Sequence, residues 1–295
     1  MQTPVPKRPD YQYHDLLVRI RQDGFPVQSQ QEEKQYRVVG CQLRFPLENG
    51  FPLITERDLS GKLFDQALGE LCGFLNGART LEALKSFGNH WWKNWVTEAK
   101  CAKRGLPPGD LGPGSYGAAW RSFPTAEGEP FDQFRNVLEQ MQEMPHLLTH
   151  LVSPWIPQYT IRGAGKQQRV VVAPCHGWVH FILDPDRHEL YLNHWQRSAD
   201  VPVGLVFNFA MYAGLAEAAA QVLGYKAKEI SYQISCPHLF ERQLEAVDEL
   251  IRRPPRPFPT LTLDPDVKNL FAFRKEHFHL GDYNPHPAMT IGTPV

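Results

Sequence analysis

Val179-His180-Phe181-Ile182-Leu183 runs into Asp184-Pro185-Asp186 and, after Arg187 and His188, into Glu189-Leu190-Tyr191-Leu192-Asn193-His194-Trp195-Gln196. Two runs rich in β-branched and aromatic residues on either side of an Asp-Pro-Asp turn predict a hairpin. Residues 170–172, a valine run just upstream, read as a further strand. Downstream, residues 205–223 are almost wholly apolar or alanine, the pattern of a helix buried on most sides. A strand over 230–234 and a helix over 238–251 follow. Toward the N-terminus, residues 11–20 read as a short amphipathic helix broken by Gly24-Phe25-Pro26, residues 28–35 as an exposed loop, and residues 38–45 as a strand. Leu63, Ala67, Leu68, Leu71, Phe74 and Leu75 recur at helical spacing, so one apolar helix ends at Gly77 with Glu70 inside it. Helical periodicity returns over 131–144. Hairpins with helices between them give the α+β class.

The chain has 295 residues, and 31 Lys+Arg against 32 Asp+Glu leave a formal charge of −1. That balance argues against binding nucleic acid through bulk basic charge. A hydrophobic content of 42% with 12% aromatic residues excludes a disordered chain. Glycines and prolines are spread along the sequence without repeats, so one domain over 1–295 is expected. The polar, proline-containing segment 1–10 does not read as an export signal, and no apolar stretch is read as a membrane span, so a cytoplasmic protein is expected. Five cysteines at 41, 72, 101, 175 and 236 lack CxxC spacing, which points away from a disulfide framework or zinc ribbon. Cys236 and His238 alone do not make a metal site, because no third and fourth ligand stand at suitable spacing.

Cys175 lies in Ala173-Pro174-Cys175-His176. A lone cysteine beside a strand is ordinarily a small buried hydrophobe. Gln196-Arg197-Ser198-Ala199-Asp200, at the end of the returning strand, changes that reading. It brings an arginine, two hydrogen-bonding side chains and a carboxylate toward the thiol, and a guanidinium both activates a thiol and holds an anionic substrate.

With these segments in view, the sequence resembles the thymidylate synthase family, including its pyrimidine hydroxymethylase branch, over nearly the whole chain. The resemblance is carried by Phe51-Pro52-Leu53, by Glu70 with Phe74-Leu75-Asn76-Gly77, and by Gly109-Asp110-Leu111-Gly112-Pro113 with Tyr116-Gly117 and Trp120-Arg121. It continues through Pro174-Cys175-His176, residues 196–200, Phe207-Asn208 with Tyr212, and Tyr283-Asn284-Pro285-His286-Pro287. It implies a homodimer with a large bent mixed sheet, a pyrimidine nucleotide or nucleoside as substrate and methylenetetrahydrofolate as cosubstrate. On this resemblance Cys175 attacks carbon 6 of the base, which makes carbon 5 nucleophilic toward a one-carbon unit. Arg197 supports the thiolate, Glu70 and Tyr116 move protons, and Asn208 reads the base, uracil rather than cytosine. Gln196, Ser198, Asp200, His176 and His238 form the substrate side; Trp92, Trp95, Asp200 and Arg57 form the cofactor side. For the tryptophans, packing in the core is an equal alternative.

Departures from the family pattern cluster on the phosphate. Where an Arg-Thr-Gly loop is expected, the chain reads Ser29-Gln30-Gln31-Glu32-Glu33-Lys34, and where a partner-donated arginine pair is expected it has Leu148-Thr149. A sugar-side tyrosine is replaced by Phe240 and an acid after the first pterin-side tryptophan by Lys93. Each arginine–phosphate contact is worth about 1.5–3 kcal/mol, so three losses remove several orders of magnitude in affinity unless other cations replace them. Arg162, Lys166 and Arg169, in an apparent insertion over 161–169, are candidate replacements, with a solvated surface loop as the alternative. The rival function is a catalytically reduced homologue that binds a nucleotide-like ligand or a partner protein.

Overall fold

The computed structural model describes residues 6–293; the first five positions of the 1–10 segment lie outside it. Eleven strands are formed among these residues: β1 Phe25–Gln28, β2 Lys34–Arg37, β3 Cys41–Pro46, β4 Leu151–Val152, β5 Trp178–Asp184, β6 Glu189–Gln196, β7 Ala199–Asp200, β8 Lys226–Ile234, β9 Pro237–Phe240, β10 Thr260–Leu263 and β11 Phe278–Gly281. The helices are α1 Gln12–Asp23, α2 Lys62–Leu75, α3 Leu81–Ser86, α4 Glu98–Ala102, α5 Tyr116–Arg121, α6 Gln133–Glu143, α7 Pro157–Thr160, α8 Val206–Leu223 and α9 Leu244–Arg252. The α+β expectation holds.

The hairpin forms as read, with Asp184 opposite Glu189, and lies in a mixed sheet ordered β3-β8-β6-β5-β4. Its one parallel pair, β6 with β8, requires a crossover, and α8 supplies it. Alternation puts Val179, Phe181, Leu183, Leu190 and Leu192 in the core, while Trp178, His180, Ile182, Tyr191, Asn193 and Trp195 face the other side. Beyond Gln196 and Ile234 both parallel strands break and resume as β7 and β9, in a second sheet ordered β1-β2-β9-β7. Two backbone bonds cross the break: the Ser235 amide donates to the Gln196 carbonyl (2.9 Å) and the Ala199 amide to that of Cys236 (3.1 Å). The two sheets are therefore one surface bent at 197–198 and 235–236, as the expected bent sheet requires.

α8 begins with a π-turn at Val201–Leu205 and ends at Gly224 in the left-handed conformation (φ 75°). It packs between the sheet and α2. The segment Val201–Leu223 is long and apolar enough to cross a membrane by length and composition, which corrects the reading that no stretch qualifies; it is mostly buried inside the fold. Other boundaries shift. Residues 28–35 are not all loop: Gln28 ends β1, Lys34 and Gln35 begin β2, and only 29–33 form the hairpin turn between them, because a ladder can close between polar side chains. The strand over 38–45 starts only at Cys41, after Gly40 at φ 64°. Residues 170–172 are not a strand: the Val171 amide donates to the Leu111 carbonyl (2.9 Å), tying the run to the 109–115 loop. The helix over 238–251 begins only at Leu244, because 237–240 completes the sheet as β9.

Candidate active site

The bend places Arg197 against the segment before β5. Its Nε donates to the Pro174 carbonyl and its Nη2 to that of Ala173 (both 2.8 Å), and Nη2 lies 3.3 Å from Cys175 Sγ. Its own amide donates to the Cys175 carbonyl (2.9 Å). The guanidinium is thus held by backbone acceptors with a charged donor aimed at sulfur, an arrangement that stabilises negative charge there. On the other side the Cys175 amide donates to Tyr116 Oη (2.8 Å). Tyr116 opens α5, which lies close to Gly77-Ala78 because Gly117 has no Cβ: one built there would meet the Ala78 carbonyl oxygen at 2.3 Å.

His176 is buried behind Cys175, stacked on Tyr116 with ring centroids 4.3 Å apart and with Nδ1 2.6 Å from Tyr212 Oη. Burial depresses its pKa to about 3, so the ring is neutral. His194 accepts from the Gly177 amide through Nε2 (2.9 Å), which completes a packed polar layer under the cysteine.

Glu70 accepts from the Trp92 indole N–H inside the apolar α2 interface. Burial raises its pKa to about 7 even though the indole bond favours the carboxylate. A carboxyl poised there takes and releases a proton near neutral pH. On α8, Asn208 is oriented by a relay: Tyr232 Oη donates to Gln196 Oε1 (3.0 Å), and Gln196 Nε2 donates to Asn208 Oδ1 (3.2 Å) and to the Ser198 carbonyl (2.9 Å). The Asn208 NH2 group meets only Met211 Sδ (3.6 Å), a weak acceptor, so its strong donor capacity is unspent.

Around the bend lie the remaining residues singled out from the sequence. Asp200 has its pKa raised to about 7, chiefly by burial, and both oxygens accept from Gln243 Nε2 (3.2 and 3.1 Å). The same nitrogen donates to the Gly292 carbonyl (2.9 Å), which ties the C-terminal segment to this carboxylate. Arg57 is buried, donates from Nη2 to the Pro202 carbonyl (2.9 Å) and lies over the Phe207 ring, while its Nε has no partner. Tyr283 Oη donates to the Ile54 and Arg57 carbonyls. His238 lies 3.1 Å through Nδ1 from the Cys236 carbonyl, so Nδ1 carries the proton and Nε2 is an acceptor; burial lowers its pKa to about 4. The two tryptophans part company. Trp92 joins Glu70 in the wall, whereas half-buried Trp95 sits under the Lys100 ammonium, 5.0 Å from the ring centroid.

At the positions of the absent arginines, Gln30 accepts from Arg162 Nη2 (3.0 Å), so the inserted segment does reach that loop. Arg169 lies over Tyr159 instead, and Leu148 is 72% exposed. Four side chains at the site escaped the sequence reading. Gln243 and Tyr232 act by orienting other side chains, and nothing in their local sequence marks that. Trp91, packed on Phe207 at 4.7 Å beside Asn208, was overshadowed by Trp92. Arg37 belongs to a strand that polar composition disguised.

The buried, unpartnered Arg57 Nε, the Asp200 carboxyl and the aromatic face of Trp91 and Phe207 supply charge, hydrogen bonding and stacking of the kind a pterin ring with an anionic tail needs. A thiol, a fixed guanidinium, a neutral-range carboxyl and an oriented amide thus meet around one bend of the sheet. The family model described as thymidylate synthase matches residues 11–295, and the chain belongs to the thymidylate synthase family.

Proposed function

We propose that the protein transfers a one-carbon unit to carbon 5 of a uracil nucleotide through a covalent adduct on Cys175. The observation that carries this is the Cys175–Arg197 contact at 3.3 Å, with Tyr116 on the opposite side of the cysteine. Attack of Cys175 Sγ on carbon 6 forms the C–S bond and moves the ring electrons onto the carbon 4 oxygen, where the free Asn208 N–H group receives the charge. Asn208 Oδ1, turned by Gln196, accepts from the ring N–H, which favours uracil over cytosine. Methylenetetrahydrofolate, when bound, supplies the methylene group. Asp200 and Arg57 hold it, and Glu70 with Tyr116 carries protons to and from the base. His238 Nε2 accepts from a sugar hydroxyl.

A methylation and a hydroxymethylation use the same adduct and differ in how it is quenched. Incubation with deoxyuridine monophosphate and methylenetetrahydrofolate, followed by mass analysis, separates them. Methyl transfer yields dihydrofolate and a product heavier by a methylene, whereas hydroxymethyl transfer yields tetrahydrofolate and a product heavier by formaldehyde. No product from uracil nucleosides or nucleotides, together with no folate binding by calorimetry, favours the second reading, a reduced homologue. That reading draws on the missing arginines at Gln30, Leu148 and Thr149.

A further inference from the structure

β2 and β9 pair so that Arg37 stands opposite His238 and Gln35 opposite Phe240. Directly paired residues of an antiparallel ladder share a face. The contacts agree: Arg37 Nε donates to Gln35 Oε1 (2.5 Å), and the His238 and Phe240 rings meet edge to face. That bond uses only Nε, so both terminal nitrogens of Arg37 have no hydrogen-bond partner among the described residues, and no carboxylate lies within 4.0 Å of it. Glu33 in the preceding turn is committed to Arg242 (2.5 Å).

Arg197 reaches the same strand from the bend: it stands two residues before Ala199, whose amide donates to the Cys236 carbonyl (3.1 Å), and Cys236 leads directly into β9, the strand that pairs with β2. Its charge and that of Arg37 both act on Cys236 and on His238. Its Nη1 is unspent, since Nε and Nη2 make its bonds. Two permanent cations, neither with a carboxylate within 4.0 Å among the described residues, therefore flank a thiol and a neutral imidazole, while Asp200, opposite His238 on β7, is engaged by Gln243; such cations repel until an anion joins them. A planar fork suits a carboxylate or phosphate oxygen pair, and on the sugar side of a nucleotide, where His238 stands, the anion is the phosphate. Arg162, by contrast, is exposed and already bonded to Gln30.

The geometry points to Arg37 as a specificity residue that, with Arg197, grips a phosphate ester on the substrate's sugar from within one chain, replacing arginines that the family takes from elsewhere. This rests on the uracil-nucleotide reading above. It is tested by calorimetric titration of the full chain with deoxyuridine, deoxyuridine monophosphate and inorganic phosphate, in the wild type and in Arg37→Gln, Arg37→Lys and Arg162→Ala.

Arg37→Gln should weaken the monophosphate about tenfold to a hundredfold, the size of a charge-assisted contact, with deoxyuridine affinity changed less than about threefold. Arg37→Lys should recover part of the loss, because it restores charge without the fork. Unchanged thermal unfolding of the variants separates this from misfolding. If inorganic phosphate binds in an Arg37-dependent way but neither uracil compound binds, the anion site stands and the uracil reading falls. A monophosphate preference that survives Arg37→Gln, or is lost instead in Arg162→Ala, overturns the inference, as does a wild type that binds no phosphate in either form.

Discussion

Glu70 sits where burial makes its charge costly. Its folded pKa of about 7 lies above the ordinary 4.5, so the folded protein holds this proton more tightly than the unfolded chain. Stability from this group is full below the unfolded value and falls as pH rises through about 7. Glu70→Gln removes that loss. Chemical denaturation should show the variant gaining on the wild type between about pH 5 and pH 8, while kcat falls on the order of a hundredfold or more and its pH limb near neutrality disappears. An unchanged pH limb would assign the titration to another group, first to Asp200, the other site carboxyl raised to about 7. At Asn208 the prediction concerns choice of base. Asn208→Asp replaces the free N–H donor by an acceptor, so kcat/KM for the uracil nucleotide should drop at least about tenfold, and cytosine, whose exocyclic amine donates, should gain relative to it. Competition between the two bases in one reaction mixture measures the shift. The residues named from the sequence largely converge because each is a chemically distinctive type in a short motif. What escaped is the supporting layer, Gln243, Tyr232 and Trp91, whose roles depend on neighbours far away in the chain.

The elements that position these groups were legible to different degrees, for physical reasons. The β5–β6 hairpin and α8 are strongly patterned, one by β-branched and aromatic residues around a turn, the other by unbroken apolarity. β1 and β2 carry Gln28, Lys34, Gln35 and Arg37, so hydrophobic period could not find them. β9 is buried at all four positions and shows no alternation. The bend itself leaves no composition signal, because it consists of two strand breaks at the same level. The close seat of α5 is testable at this scale. Gly117→Ala puts a methyl group 2.3 Å from the Ala78 carbonyl, which nothing flexible can yield to. It should cost about 1–3 kcal/mol in denaturant unfolding, and the accompanying shift of Tyr116 from the Cys175 amide should lower kcat. Full stability with full activity would mean that α5 has a freedom its packing does not suggest.

Across the whole molecule, one face of the central sheet packs on helices and the other carries large side chains with little over them. Trp155 stacks on Trp178, Trp178 meets Trp195 edge-on, and Trp195 remains 37% exposed. Aromatic exposure of this kind on a strand face is the signature of a surface meant to be covered. With the family's usual dimer in mind, we propose that a second copy covers it. Trp195→Glu should shift light-scattering mass from dimer to monomer, whereas a monomeric wild type would refute the proposal. The one measurement that bears most directly on covalent chemistry is intact mass after incubation with 5-fluorodeoxyuridine monophosphate and methylenetetrahydrofolate, where fluorine blocks loss of the carbon 5 substituent. The protein should gain the mass of nucleotide plus folate, the modified peptide should map to Cys175, and Cys175→Ser should abolish the gain. An unmodified mass, or a label on Cys41, Cys72, Cys101 or Cys236, would contradict catalysis by Cys175.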